Sequence, residues 1–182
     1  MRSWPIHSSE RLQGSANRVI IISVLNASFG TETSLSSLES IIKNSLHQAS
    51  SHTKEVYNQN PLTASEVIEL GNSRVLTLAA TVRPDGRPHL SPTDLVVVDG
   101  VFYLGVDEAM ARYRNLKKNP AVTIMLADGW KRQAILEGNA EFLDMNSGTA
   151  QQVLEAQKKK YGWVTDSLAE FRPAKAFTWK AK

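Results

Sequence analysis

A run of cations between residues 112 and 118 carries the side chains in this sequence that are best suited to bind an anion. The stretch reads "RYRNLKK", contains no acidic residue, and is followed by Asn119-Pro120 and an apolar segment. Proline cannot continue a helix, so the run is predicted to be the end of a helix that leans on a sheet edge. Such a helix can bind an anion, or it can be an ordinary solvated face. The four cations are Arg112, Arg114, Lys117 and Lys118.

The composition excludes several other kinds of site. The 182-residue chain has no cysteine, which rules out disulfides, thiolate metal ligands and a cysteine nucleophile. No two of its four histidines stand four residues apart, so the pattern predicts no metal site. The net charge of +3, from 21 basic and 18 acidic residues, is too small for a protein that binds nucleic acid in bulk.

Residues 1–60 are rich in Ser, Asn and Gln and are predicted to be a poorly ordered or helical extension. The longest apolar run, Val19 to Leu25, is too short to cross a bilayer, so no membrane partner is predicted. A leader without structure and a targeting peptide are both compatible with residues 1–50. The protein is expected to be cytoplasmic. One amphipathic helix is predicted in the extension, from the spacing of Leu35, Leu38, Ile41, Ile42 and Leu46.

The segment 61–106 predicts one helix and a three-stranded antiparallel meander. Pro61 precedes a helix that Thr63 or Ser65 would cap and that Gly71 would end. Two Asp-Gly pairs, at 85–86 and 99–100, separate β-branched apolar runs and predict tight hairpins. The three predicted strands cover 74–82, 89–98 and 101–106.

The remaining sequence predicts two more helices and three more strands. The helices cover 107–119, which Pro120 ends, and 147–162, with Ser147 as cap and Gly162 as stop. Gly138 predicts an irregularity within its strand. Six strands with short connections indicate a mainly β fold, a small barrel with flanking helices, over residues 61–182. The last three strands cover 121–128, 132–144 and 174–182.

Three pieces of sequence together resemble the FMN-binding split-barrel family typified by pyridoxamine 5′-phosphate oxidase. They are "ATVRPDGRPHLSP", the helix end "NLKKNP" and the strand "RQAILEG". The resemblance runs from about residue 74 to residue 143 and rests on the order and spacing of the pieces. It implies a six-stranded antiparallel split barrel that forms a homodimer, with a cofactor site at each subunit interface.

The resemblance also implies which side chains hold the flavin phosphate. Arg112 matches a basic residue at the helix start that binds this phosphate, and arginine suits a two-pronged phosphate contact. Arg114, two residues further on, is a second candidate. Arg74 matches an arginine of the first strand that approaches the phosphate in the oxidase.

Four further residues are placed near the flavin ring by the same resemblance. Gln133 matches a glutamine that hydrogen-bonds the ring, since an amide both donates and accepts. Ser91 and Thr93 lie on a strand that brings hydroxyl and backbone groups to the ring face. Trp130 is placed to stack on the flavin of the partner subunit. Each of these residues also has an ordinary interpretation as an edge-strand, solvent-facing or dimer-contact residue.

The function that the resemblance implies is FMN-dependent oxidation or reduction of an unknown small molecule. Relatives that use the deazaflavin F420 are an alternative, for which Lys131 and Arg132 would supply cations. A non-catalytic flavin- or haem-binding protein is another. The chain ends at "FTWKAK" without the arginine- and histidine-containing segment that grips pyridoxal phosphate in the oxidase, so pyridoxamine phosphate is not the expected substrate. No acid–base residue is assigned, because the cofactor carries the redox step.

Overall fold

The structure, a computed structural model, describes residues 34–182, and in this range it has five helices and seven strands. The part of the predicted leader or targeting segment that precedes residue 34 lies outside this range. The helices are 34–48 (α1), Ser51–Tyr57 (α2), Ala64–Asn72 (α3), Ala111–Lys118 (α4) and Gly148–Tyr161 (α5). The strands are Leu76–Val82 (β1), Pro88–Pro92 (β2), Asp94–Val98 (β3), Val101–Gly105 (β4), Ala121–Asp128 (β5), Arg132–Phe142 (β6) and Leu168–Lys180 (β7).

The strands form a single antiparallel sheet in the order β2-β1-β5-β6-β7-β4-β3. Consecutive strands β2 and β3 occupy opposite ends of this order, so the segment 88–98 joins both ends and curls the sheet into a split barrel. The predicted count of six strands is wrong, because the predicted strand 89–98 forms two. Pro92 ends β2, since it has no N–H to donate to a ladder, and Thr93 separates the two halves. We call the junction at Pro92 and Thr93 the barrel seam.

The two Asp-Gly turns differ in length. Asp99 and Gly100 form a two-residue loop between β3 and β4, and their φ angles of 50° and 77° fit a type I′ turn. The loop between β1 and β2 has five residues, 83–87, and not the predicted two, since the last cross-strand pair is Val82 with Pro88. Within this loop, Arg83 N donates a hydrogen bond to the carbonyl oxygen of Arg87. The predicted three-stranded meander is also wrong, since β2 pairs with β1 and β3 pairs with β4.

Helix α3 begins as predicted but ends differently. The Thr63 side chain accepts from Glu66 N, and the Glu66 carboxylate accepts from Thr63 N, which together make a capping box. Gly71 was predicted to end the helix but lies inside it, where a Cβ would come within 2.9 Å of Val97 Cγ2. Glycine at this position therefore allows α3 to pack closely on β3.

The hydrophobic core lies between the inner face of the sheet and the helices α1, α3 and α4. Leu38 and Ile42 of α1 are buried in this core, which confirms the predicted amphipathic helix over the described part of α1. The largest fully buried side chains include Leu62, Leu70, Leu95, Ile124, Leu126, Leu136 and Phe171.

Within residues 34–182, no helix is long and apolar enough to cross a membrane.

The pairing of β6 with β7 contains the irregularity that Gly138 predicts. Glu137 pairs with Lys175 and Gly138 pairs with Pro173, so the register shifts by one residue of β7. A Cβ on Gly138 would overlap the carbonyl oxygen of Arg172. The bulge therefore depends on the absence of a side chain at residue 138.

The outer face of the sheet carries an apolar patch across β2, β1, β5 and β6. Side chains alternate along each strand, so residues two apart share a face. Cross-strand pairing aligns Leu78 with Met125, and Met125 with Ile135. Leu76 and Leu90 keep 56% and 63% of their surface exposed. The outer apolar face, as we call this patch, consists of Leu76, Leu78, Leu90, Met125 and Ile135.

Lys160, near the end of α5, connects three elements of the fold. Its Nζ donates to the carbonyl oxygen of Gly71 in α3 at 2.5 Å and to that of Leu95 in β3 at 2.7 Å. Burial lowers the pKa of the Lys160 amine to about 8, and the charges of Asp94 and Arg74 act in opposite directions on it.

Replacing Lys160 by methionine is expected to remove a rise of stability with pH. Between pH 8 and 10.5 the unfolded chain binds more protons at this residue than the folded chain does. The contribution of Lys160 to the free energy of unfolding therefore increases as the pH rises through that window. Because the amine is partly exposed, we expect the wild type to gain only about 1–3 kcal/mol over Lys160→Met across the window.

Urea unfolding at several pH values within the window measures this difference. Lys159→Met is the matched control, because Lys159 is exposed on the same helix and should show no such change. A difference between wild type and Lys160→Met that does not vary with pH would contradict the prediction.

Candidate functional site

Arg112 lies in the first turn of α4 and is almost completely buried, with 3% of its surface exposed. Its Nη1 donates to Ser91 Oγ and to the carbonyl oxygen of Pro92, each at 2.8 Å. Its Nη2 donates to the carbonyl oxygen of Gly105 at 3.3 Å. The guanidinium therefore connects the end of β2 to the end of β4 at the barrel seam. Within residues 34–182, the buried Nε of Arg112 has no hydrogen-bond acceptor.

The acceptors around this guanidinium are neutral. No ion pair among the described residues includes Arg112. Burial lowers the pKa of Arg112, while the nearby carboxylates Asp94 and Asp107 act in the opposite direction without bonding to it. A buried cation with no hydrogen-bonded anion is costly to the fold. The seam therefore presents a charge that an anionic group would stabilise.

The structure brings Ser91 and Thr93 to Arg112. Ser91 Oγ accepts a hydrogen bond from the guanidinium, and Thr93 lines the same cavity as Arg112 while its backbone N–H donates to the carbonyl oxygen of Thr77 at 3.1 Å. His89 stands two residues before Ser91 on β2, and its buried Nδ1 has no partner among the residues that the structure describes. Burial, followed by the charges of Arg83 and Arg112, lowers the pKa of His89 and favours a neutral ring.

A cavity of about 220 Å³ opens beside Arg112. We call it the seam cavity, because it borders the break between β2 and β3. Its walls combine hydroxyl, carboxylate, guanidinium, thioether and indole groups. Its lining includes Thr93, Asp94, Met110, Arg112, Trp163 and Thr165.

Arg114 lies on a different side of α4 from Arg112. It is exposed, and its Nη1 donates to the carbonyl oxygen of Ala109 at 3.1 Å. With Arg83 and Lys118 it lines a separate cleft of about 360 Å³. The structure thus separates the two phosphate ligands that were predicted on α4.

Arg74 precedes the first strand and does not belong to it. The strand β1 begins at Leu76, two residues later than predicted, and Arg74 is exposed just before it. Its Nη2 donates to the carbonyl oxygen of Tyr161 at 3.3 Å. Arg74 is also not among the residues that line the seam cavity.

Gln133 and Trp130 lie at the β5–β6 hairpin, away from Arg112 within one chain. Gln133 is half-buried, pairs with Ala127 and Trp179, and donates from Nε2 to the carbonyl oxygen of Gly129 at 3.3 Å. Three strand spacings, about 14 Å along the sheet, separate β6 from β2. Trp130, in the turn itself, is 84% exposed. Neither residue is among those that line the cavity beside Arg112.

The loop between α5 and β7 supplies functional candidates that the sequence analysis missed. Trp163 lies on this loop and donates from Nε1 to Asp94 Oδ2 at 2.8 Å. Gln157 of α5 donates from Nε2 to the same oxygen at 3.2 Å and to Thr165 Oγ1 at 3.2 Å. The available signal in the sequence was a tryptophan directly after Gly162, the residue predicted to end the helix. No cluster of three histidine or carboxylate side chains suited to a metal ion occurs within residues 34–182.

The order of the elements, the seam and the position of α4 can be compared with those of known proteins. A family model described as pyridoxamine 5′-phosphate oxidase matches residues 64–181. The chain belongs to the pyridoxamine 5′-phosphate oxidase family. The match runs from α3 through β7, so this family's domain includes all the strands and the seam. No curated protein matches the sequence significantly.

Solved structures share the fold of this family member. The conserved hypothetical protein Rv2991 of Mycobacterium tuberculosis is 23% identical, with a TM-score of 0.55, over 65% of this chain and 85% of that one. The heme storage protein HutZ of Vibrio cholerae is 22% identical, with a TM-score of 0.53, over 62% and 92%. HupZ of Group A Streptococcus is 17% identical, with a TM-score of 0.56, over 66% and 96%. At these identities the likeness establishes the split-barrel fold.

Proposed function

We propose that this chain is an FMN-dependent oxidoreductase that acts on a small molecule as a homodimer, with one flavin at each subunit interface. The observation that carries the proposal is the Arg112 guanidinium. It is buried at the barrel seam, bonded only to neutral acceptors, and its Nε has no acceptor among the residues that the structure describes. Membership in the pyridoxamine 5′-phosphate oxidase family supports the choice of a flavin.

The residues at the seam fit a phosphate group. A phosphate dianion would offset the charge of Arg112, and charge-assisted bonds between arginine and phosphate are among the stronger hydrogen bonds in proteins. Asp94 and Asp107 carry negative charge close by, so the phosphate would gain from Arg112 and lose from these acids. A phosphate attached to a flavin therefore fits this site better than phosphate alone, because contacts of the flavin ring add binding energy.

The separation of Arg112 from Gln133 supports a dimer. Between them lies the outer apolar face, on which Leu76 and Leu90 are largely exposed. Burying a patch of this kind against a second copy is favourable at roughly 25 cal/mol per Å² of apolar surface. A twofold axis through this face would bring Gln133 of one subunit towards the seam of the other, because isologous interfaces pair each region with its counterpart.

In this proposal each residue has a limited part. Bound FMN supplies the redox chemistry, and the protein binds and orients it. Arg112 holds the phosphate, and Ser91 fixes the guanidinium through a 2.8 Å bond to Nη1. The amide of Gln133 can donate to and accept from the edge of a flavin ring. The deazaflavin alternative is less favoured, because Arg132, one of its two expected cations, already pairs with Glu69 at 2.8 Å.

Titration of the full-length protein with FMN and with riboflavin, followed by flavin fluorescence, tests the proposal. We expect FMN to bind about tenfold or more tightly than riboflavin, since riboflavin lacks the phosphate that Arg112 would hold. In Leu90→Glu, a charge on the outer apolar face should yield a monomer by light scattering and abolish FMN binding. The control is Gln152→Glu, which adds the same charge on the exposed side of α5.

The possible results separate the candidate functions. Equal affinity for FMN and riboflavin would contradict phosphate anchoring, and a Leu90→Glu monomer that binds FMN normally would contradict the interface site. Tighter binding of F420 than of FMN would favour the deazaflavin alternative. Stable binding of FMN that dithionite reduces but that neither NADH nor NADPH reduces would favour a non-catalytic carrier.

A further inference from the structure

A second cleft, on a different side of α4 from Arg112, is lined by three exposed cations. It has a volume of about 360 Å³ and lies between the β1–β2 loop and α4. Arg83 lines it from the loop, and Arg114 and Lys118 line it from the helix, about one turn apart. Within residues 34–182, none of these three side chains forms an ion pair. We call this feature the basic cleft.

The carboxylate that lines the basic cleft is bonded to a fourth cation. Asp85 Oδ2 accepts from Arg87 Nη2 at 2.6 Å and from Arg87 Nε at 2.8 Å, and Asp85 Oδ1 accepts from Arg87 N at 3.1 Å. These bonds, together with the charge of Arg83, hold the pKa of Asp85 below its usual value. Because Arg87 offsets the charge of Asp85, the cations that line the cleft give it a positive potential.

The backbone that carries these cations is held by hydrogen bonds on both sides of the cleft. In the loop, Arg83 N donates to the carbonyl oxygen of Arg87, and Gly86 N donates to that of Arg83, each at 2.9 Å. On the helix, Asn115 is 3% exposed, and its Nδ2 donates to Thr81 Oγ1 of β1 at 2.9 Å. The helix is therefore bonded to the strand from which the loop emerges, so the two walls of the basic cleft keep their spacing.

Arg114 keeps donors that a ligand can use. An arginine side chain has five N–H donors in a planar fork. Among the residues that the structure describes, the guanidinium of Arg114 uses one of them, from Nη1 to the carbonyl oxygen of Ala109 at 3.1 Å. The remaining donors face no protein acceptor in the described part of the chain, and they suit the oxygens of a phosphate.

The geometry points to the basic cleft as a binding site for a diphosphate group, either free pyrophosphate or the diphosphate of a nucleotide. Its three unpaired cations match an anion that carries several charges. Arg114 and Lys118 are spread over about 6 Å of the helix axis, which suits two linked phosphates better than a single ion. The site goes beyond the proposed function, because none of the residues that line it also lines the seam cavity.

Isothermal titration of the full-length protein with pyrophosphate, ADP and sulfate tests this site, with and without saturating FMN. At a constant ionic strength of about 0.15 M, pyrophosphate should bind about tenfold or more tightly than sulfate. Arg114→Gln and Lys118→Gln should each weaken pyrophosphate binding about five- to tenfold, the scale of one lost charge-assisted bond. Thermal unfolding without ligand checks the fold of each variant.

Lys117→Gln is the matched control. Lys117 is an exposed cation of the same helix and precedes Lys118 directly, so its replacement removes the same charge. Its Nζ lies 4.4 Å from the centre of the Phe142 ring, and Lys117 does not line the basic cleft. Pyrophosphate affinity in this variant should stay within about twofold of wild type.

The results separate this site from general charge and from the FMN site. Equal losses in Lys117→Gln and Arg114→Gln would overturn the inference, because net charge alone would then explain binding. Sulfate that binds as tightly as pyrophosphate would overturn it as well, and so would pyrophosphate binding that saturating FMN abolishes. A loss in Arg114→Gln and Lys118→Gln that Lys117→Gln does not reproduce supports it.

Two further comparisons complete the test. ADP that binds at least as tightly as pyrophosphate would identify a nucleotide as the ligand, whereas weaker ADP binding would identify free pyrophosphate, and both results support a diphosphate site. A protein that binds pyrophosphate in the basic cleft but has no affinity for FMN would overturn the proposed function and leave this inference intact.

Discussion

Arg112→Ala is expected to weaken FMN binding by about five- to 150-fold, which corresponds to about 1–3 kcal/mol. The loss follows from removing a cation that has only neutral hydrogen-bond acceptors, including Ser91 Oγ and the carbonyl oxygen of Pro92. Riboflavin affinity should change much less, because that ligand carries no phosphate. Fluorescence titration of both ligands against both proteins measures the two effects separately.

A second variant keeps this test meaningful if the alanine protein folds poorly. Arg112→Lys retains the positive charge but loses the planar fork, so its affinity for FMN should fall between those of wild type and Arg112→Ala. Lys159→Ala, which removes an exposed cation of α5, should bind FMN normally. A folded Arg112→Ala protein with unchanged preference for FMN over riboflavin would remove Arg112 from the site.

Gly138→Ala is expected to lower the free energy of unfolding by about 1–3 kcal/mol or more, the cost of overpacking a well-ordered site. The new Cβ would overlap the carbonyl oxygen of Arg172 and lie 2.9 Å from Pro173 Cα. These neighbours are backbone atoms of β7, which is paired on both sides, with β6 and with β4. They cannot move as a flexible side chain would, so the bulge itself must shift.

Gly148→Ala is the matched control for this effect. Gly148 is the first residue of α5, and a Cβ there would meet nothing within 4 Å. Alanine should leave stability unchanged or raise it by up to about 1 kcal/mol, because it reduces the freedom of the unfolded chain. Urea unfolding of the two variants therefore isolates the clash at β7 from the general effect of replacing glycine. Equal stability of both would show that the bulge at Gly138 adapts to a side chain.

Local signals predicted the parts of this fold that depend on neighbouring residues. The type I′ turn at Asp99-Gly100, the cap at Ser147 and the left-handed stop at Gly162 all require particular backbone angles or a nearby side-chain acceptor. These needs are met within four residues of the chain. The strand irregularity at Gly138 was also visible, since an isolated glycine in a strand is typical of a close approach.

Pairing between distant strands decided the parts that the local signals missed. The sequence 89–98 has the pattern of one continuous strand, but its two halves bond to β1 and to β4, which lie far apart in the sheet. Gly71 was assigned to a helix end because glycine often stands there, while its real role is contact with β3. Neither outcome follows from residue types alone, because both depend on which element packs opposite.

The candidate site shows the same division. By itself the sequence determined that a cation stands at residue 112, that an amide stands at residue 133, and that the pattern around them is that of the pyridoxamine 5′-phosphate oxidase family. Only the tertiary structure decided that Arg112 is buried against Ser91, that Arg114 faces another cleft, and that Trp163 borders the seam cavity. The physical reason is that charge and hydrogen-bonding capacity belong to each side chain, whereas burial and proximity arise only when distant strands close the barrel.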